Sequence, residues 1–193
     1  MMGLPDRHWR SLALIFNTQP AVYLHDSWFD VLPKGGLARR LNTIPQAAPG
    51  VSAYLLRIFG LERNYCEDFT NLWARLALLD GPALERLFVH LGLALRSNDL
   101  QREVMGERLR LLKRTVGTES LNFAIKRVPL MGAIPSFAFE PNAADLGVRF
   151  TLIGARFCAI HLMPFGQPLL RRMTLKLPSA WSACLNAPEP RSE

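Results

Sequence analysis

The stretch DGPALERLFVHLGLAL, residues 80–95, decides the fold class. Asp80 is placed to cap a helix and Pro82 to occupy its first turn, after which Leu84, Leu87, Phe88, Leu91 and Leu95 recur at i, i+3, i+4, i+7 and i+11. That spacing lays one apolar face along a helix and makes it a core element. Just downstream, Ser97 or Asn98 opens a second helix whose buried stripe is Met105, Leu109, Leu112 and Val116, ended by Gly117. Thr118 caps a third, which turns Leu121, Ala124, Ile125 and Val128 inward until Pro129 forbids continuation. With connections this short the three pack as neighbours. Asn142 begins a fourth pattern through Leu146, Phe150, Ile153, Phe157 and Ile160.

Upstream the periodicity is choppier. Asp6 to Phe16, Pro20 to Leu32, Leu37 to Leu41, Tyr54 to Phe59 and Phe69 to Leu79 each read as short helices, interrupted by Pro33, Pro45, Pro49 and the pair Gly35-Gly36. Period-2 alternation occurs only at Phe137-Ala138-Phe139, too brief to found a sheet. The expected fold is all-α: a compact multi-helix single domain over residues 1–185, with short connections, one irregular Pro/Gly-containing apolar segment, and a flexible tail at 186–193.

Composition narrows the class. The 193 residues carry 23 Lys+Arg against 16 Asp+Glu, with 49% hydrophobic and 20% charged residues, which excludes intrinsic disorder for most of the chain. Three widely spaced cysteines, Cys66, Cys158 and Cys184, form neither a disulfide framework nor a zinc knuckle, and the expected setting is a reducing cytoplasm. The apolar run Leu12 to Phe16 is too short for a secretory signal. Arg156, His161 and Pro164 break the later run Leu152 to Phe165, so no direct membrane insertion is expected.

No phosphate-binding loop, dinucleotide fingerprint, zincin pair or nucleophile elbow is present, so no enzyme, metal or cofactor is expected. His25-Asp26-Ser27 has the letters of a triad, but helix neighbours point about 100° apart and cannot form a relay. His25 reads as a polar rim residue, and His90 and His161 as residues of the core or its boundary. Cys66, beside Glu67 and Asp68, lacks the positive surroundings that activate a thiol.

A basic segment can bind nucleic acid, anionic lipid or an acidic protein face, and two further features suit docking. Residues 101–127 hold Arg102, Arg108, Arg110, Lys113, Arg114, Lys126 and Arg127 against Glu103, Glu107 and Glu119. The bland reading of that excess is a solvated face on which Glu103, Glu107, Arg110 and Arg114 pair at helical spacing. From Pro129 to Pro141, Leu130, Met131, Ile134, Phe137 and Phe139 lie among prolines and Gly132, either as a connection laid over the core or as a partner site. The N-terminus is aromatic, with Trp9, Phe16, Tyr23, Trp28 and Phe29, which read first as core and second as interface residues, Trp28 being placed to lie at the rim.

Phe16-Asn17 followed by Pro20-Ala21-Val22-Tyr23-Leu24-His25, then Leu91-Gly92-Leu93-Ala94-Leu95, and late in the chain Arg172-Met173-Thr174-Leu175-Lys176-Leu177-Pro178 carry a resemblance. In their order and in chain length they resemble the K-component family of bacterial type III secretion systems, the SctK or YscK-like proteins. Pro33 to Arg75 adds little to it. The resemblance implies a cytoplasmic, non-enzymatic adaptor of the sorting platform, peripheral to the inner-membrane apparatus. Its partners would be the forkhead-associated-like cytoplasmic domain of the D-type ring protein and the Q-type pod protein, with the spoke protein and export ATPase reached indirectly. On that reading Arg102, Arg108, Arg110, Lys113 and Arg114 meet an acidic face of the ring or pod protein.

The competing reading is a helical DNA-binding regulator, with Asp99 to Met105, a turn at Gly106, and a basic helix over 107–116. Against it, Glu103 and Glu107 would face phosphates and Leu109, Leu111, Leu112 and Val116 leave few positions to read bases, so nucleic acid is not the expected partner.

Overall fold

The computed structural model describes residues 6–102, 106–135 and 137–186. Every regular element among them is helical. By contact they form two compact units: residues up to Gly81 with His161–Ala183, and Pro82–Ile160 with the chain from Cys184 on. The expected tail lies, from residue 187, outside the described residues.

In the first unit the choppy N-terminal pattern becomes Asp6–Thr18, Pro20–Tyr23, Trp28–Val31, Gly35–Asn42, Ala48–Ile58 and Leu72–Leu76. The single helix expected from Pro20 to Leu32 is two, because the chain turns at His25–Ser27 and the backbone N–H of Trp28 bonds back to His25 O at 3.0 Å. Phe69 to Leu79 shortens to one turn capped by Asn71, whose side chain accepts from Trp73 N. Ala48–Ile58 starts earlier than expected, since Pro49 sits in its first turn where no N–H is needed. Ala21, Val51 and Leu55 are buried together, with Leu24, Leu32, Tyr54 and Phe59 packed around them. The helix Gln167–Leu175 returns from the end of the chain and is buried at Leu169, Leu170 and every position from Arg172 to Leu175.

The second unit is built on Gly81–Leu95 and Leu146–Leu162. The first buries Leu84, Phe88, Gly92 and Leu93, leaving Leu87, Leu91 and Leu95 half-buried. The second begins at Leu146 and not at Asn142, because Asp145 accepts from Val148 N at 2.9 Å and acts as its cap. Its expected stripe is mostly half-buried, while Thr151, Leu152, Gly154, Ala155, Arg156, Cys158 and Ala159 are buried, so the helix is enclosed nearly all round. Leu146–Phe165 is, by length and composition, apolar enough to cross a membrane, with a mean hydropathy of 1.4. Buried Arg156, which donates to Leu185 O at 3.2 Å, and a glycine pressed onto a neighbouring helix mark the 146–160 part as protein core.

Ser97–Arg102, Gly106–Val116 and Thr118–Asn122 surround Leu93, Leu100, Leu112, Leu121 and Ala124. Val116, Leu109 and Ile125 pack against that cluster as their spacing requires, whereas Met105 lies outside the described residues. Gly117 (φ 83°), not Thr118, is the N-cap of Thr118–Asn122. That helix runs on through a π-helical turn, Phe123–Arg127, into the 3-10 turn Val128–Met131, which ends at Gly132.

Candidate functional site

Two of the three motifs that carry the resemblance, Phe16 to His25 and Arg172 to Pro178, meet around buried cations in the first unit, while Leu91 to Leu95 lies in the second. Phe16 and Tyr23 stack with centroids 5.8 Å apart, and the Tyr23 hydroxyl donates to Phe16 O at 2.8 Å. Lys176 Nζ lies 4.9 Å from the Phe16 ring and 5.1 Å from that of Tyr23, and donates to Ala77 O and Leu79 O at 2.7 Å each. Burial pushes its ammonium down to about 7, opposed by Asp80. The Tyr23 phenol is pushed up by the same desolvation, against the pull of Arg172.

Arg172 is fully buried and bonds four carbonyls: Asn64 at 2.6 Å, Leu61 at 3.0 Å, Asn17 at 3.3 Å and Pro168 at 3.5 Å. Asn17 in turn holds Cys66 by both its backbone N–H and its carbonyl. The sequence neighbourhood of Cys66 suggested no positive group, yet Arg172, remote in the chain, supplies one. Burial outweighs it and raises the thiol, so Cys66 stays an unreactive core residue. His25 N donates to Leu175 O at 2.8 Å, and the Trp28 indole to Leu177 O at 2.9 Å, with its ring edge-on to Phe59. The indole N–H of Trp28 is thus spent internally.

Phe16, Arg172 and Lys176 are thus buried parts of the first unit's core. Nothing in local spacing marks Arg172 and Lys176 as buried, since basic residues are normally exposed. The available signal is the apolar run around them, Leu169, Leu170, Met173, Leu175 and Leu177.

His25 Nδ1 and Ser27 Oγ do meet, at 2.9 Å, because the chain turns there. Asp26 instead binds Arg39 at 3.0 Å, so no relay forms. His90 bonds Arg86 O through Nδ1 and lies edge-on to Phe123, and His161 stacks on Trp73. Among the described residues no group of His, Cys, Asp and Glu is arranged to hold a metal.

The expected docking residues are divided. Arg102, Arg110, Lys113 and Arg114 are exposed, and the side chain of Arg108 lies outside the described residues. Glu103 also lies outside them, and among those described Glu107 forms no ion pair with Arg110 or Arg114, unlike the pairing that helical spacing allows. Neither Lys113, Lys126 nor Arg127 is ion-paired among the described residues, whereas Arg96 and Arg149 are both held by Glu140. Within 129–141, Leu130 is 84% and Met131 72% exposed. Phe137 and Phe139 are half-buried, and Phe137 packs edge-on to Phe157 at 5.5 Å. Arg96 donates to Phe139 O at 3.0 Å, fixing that end of the segment. The segment is thus a core connection at its phenylalanines and an open apolar tip at Leu130–Met131, directly following Lys126 and Arg127. Chemically these exposed side chains offer positive charge and apolar contact area.

A family model described as YOP proteins translocation protein K (YscK) matches residues 12–193. Among solved structures the chain is similar to the cytoplasmic domain of the type III secretion sorting-platform protein PscK from P. aeruginosa, with 26% identity and a TM-score of 0.60 over 88% of this chain and 83% of that one. No curated protein matches.

Proposed function

The chain belongs to the YscK family, and from that membership we propose that it is a sorting-platform adaptor of a type III secretion system, working on the cytoplasmic side of the apparatus. It joins the D-type ring protein's forkhead-associated-like domain to the Q-type pod protein, and through the pod the spoke protein and export ATPase. The observation that carries an adaptor role is the grouping, in one unit, of basic side chains with no ion-pair partner among the described residues (Arg110, Lys113, Arg114, Lys126 and Arg127) with the exposed pair Leu130–Met131. Cations without internal partners are available to set register and on-rate with an acidic face, and the apolar pair can add buried contact.

The test is a tagged pulldown of the full chain from cells carrying an assembled apparatus. Recovery of the ring and pod proteins together, lost for the triple variant Arg110→Glu, Lys113→Glu, Arg114→Glu, is the expected result. Recovery of nucleic acid, or of neither protein, overturns the reading.

A further inference from the structure

A second surface, in the other unit, has a different character. Gly35–Asn42 and Ala48–Ile58 pack side by side and leave between them a groove of about 190 Å³ lined by Leu37, Ala38, Leu41, Gly50, Val51 and Tyr54, with Lys34 at its edge. For scale, an apolar cavity of about 150 Å³ accommodates a benzene ring. Leu37 is 48% exposed and Leu41 37%, and Ile44, in the turn joining the two helices, 47%. Three half-open aliphatic side chains in eight residues are more than scattered surface apolarity. Gly50, exposed in the groove's lining, leaves room there: a Cβ would meet nothing within 4 Å. The Tyr54 hydroxyl donates to Pro33 O, which fixes the aromatic wall.

Along the groove's own segment of chain the charge has one sign. From Leu32 to Ile58 the chain carries Lys34, Arg39, Arg40 and Arg57 and no carboxylate. Arg39 is consumed by Asp26 and Asp30, and Arg57 by Glu62, which leaves Lys34 and Arg40 exposed without an ion pair among the described residues.

We propose that this groove seats an amphipathic helix of a protein partner, its apolar ridge laid between Leu37, Leu41 and Tyr54 and its flanking carboxylates on Lys34 and Arg40. A groove between two helices matches the ridge made by residues at i, i+3, i+4 and i+7. The cationic rim selects acidic flanks. A second copy of this chain is a poor occupant, because its own amphipathic helix Gly106–Val116 is basic and would bring like charges together. The proposal rests on the adaptor reading only in requiring a protein partner.

The test is selection of single-helix peptides, randomised at ridge and flank positions, on the full chain, followed by affinity measurement of the enriched sequences. Apolar-ridged, acidic-flanked helices should emerge. Their affinity should fall about tenfold on Gly50→Leu, which fills that open space in the lining, and about fivefold on the double variant Lys34→Glu, Arg40→Glu, with the second loss shrinking as salt is added. Leu37→Glu, at an exposed site, is the second groove variant should Gly50→Leu fail to fold. Enriched peptides without acidic flanks, peptides indifferent to the groove variants, or no enrichment at all overturn the proposal. Helix binding by the parent chain, with ring and pod proteins absent from its own pulldowns, would remove the adaptor reading alone. Failure of the peptides with both proteins recovered would remove the groove alone.

Discussion

Gly154 approaches Gly92 so closely that a Cβ on Gly154 would stand 2.9 Å from the Gly92 backbone nitrogen and 1.9 Å from Phe88 O. The relation is reciprocal, since a Cβ on Gly92 would stand 1.9 Å from Phe150 O. Both obstacles are backbone, so relief requires moving a whole helix. Gly92→Ala and Gly154→Ala should each cost about 3 kcal/mol, despite alanine's better helix propensity. Chemical denaturation checks this, and an unchanged midpoint for either would contradict the close crossing.

Lys176 makes stability depend on pH. Its folded value of about 7 lies below the ordinary 10.5, so between those values the unfolded chain holds a proton that the folded chain has released. Stability therefore rises with pH across that window, and below about 7 the full cost of burying the charge is present. Lys176→Met removes the titration but strands Ala77 O and Leu79 O, and should cost about 2 kcal/mol at the alkaline end, less at pH 6. Urea midpoints over this range, compared for the two proteins, decide it: parallel profiles would mean that Lys176 is not the titrating group.

Much of the fold was legible from sequence because helical spacing is local. Gly81–Leu95 and the inward faces of Leu109, Leu112, Val116, Leu121, Ala124 and Val128 follow from i, i+3 and i+4 arithmetic alone. What spacing could not supply was contact between distant segments. Arg172 looks like an ordinary surface cation until Asn17, Leu61 and Asn64 are placed around it, and Cys66 looks uncharged for the same reason. The apolar segment 129–141 read as one object but divides, because Phe137 packs on Phe157 while Leu130 and Met131 stay largely exposed. The groove beside Leu37 is not legible in the sequence because two short helices meet there and their spacing specifies neither their angle nor the open space at Gly50.

The Arg172 cluster predicts an unequal response to conservative substitution. Its two terminal nitrogens divide four carbonyls between them in a planar fork that a lysine ammonium cannot reproduce. Arg172→Lys should cost about 2 kcal/mol and Arg172→Met about 3 kcal/mol or more, since methionine takes the guanidinium donors from all four carbonyls. Equal stability of Arg172→Lys and the parent would show that charge alone holds Asn17, Leu61 and Asn64.

The exposed surface should behave in the opposite way. The double variant Leu130→Ser, Met131→Ser removes side chains that are 84% and 72% exposed, so folding stability should stay within about 0.5 kcal/mol of the parent. Arg110→Glu with Lys113→Glu should be equally silent, because neither side chain has an ion pair among the described residues to lose. On the adaptor reading both pairs instead weaken partner recovery and secretion, by separable routes. Charge reversal slows association and its effect fades as salt rises, whereas loss of the apolar pair speeds dissociation and is nearly salt-independent. Association and dissociation rates measured against purified ring and pod domains at two salt concentrations distinguish them. Variants that fold normally and bind both domains at parental rates would leave this surface solvated and move the docking site elsewhere on the chain.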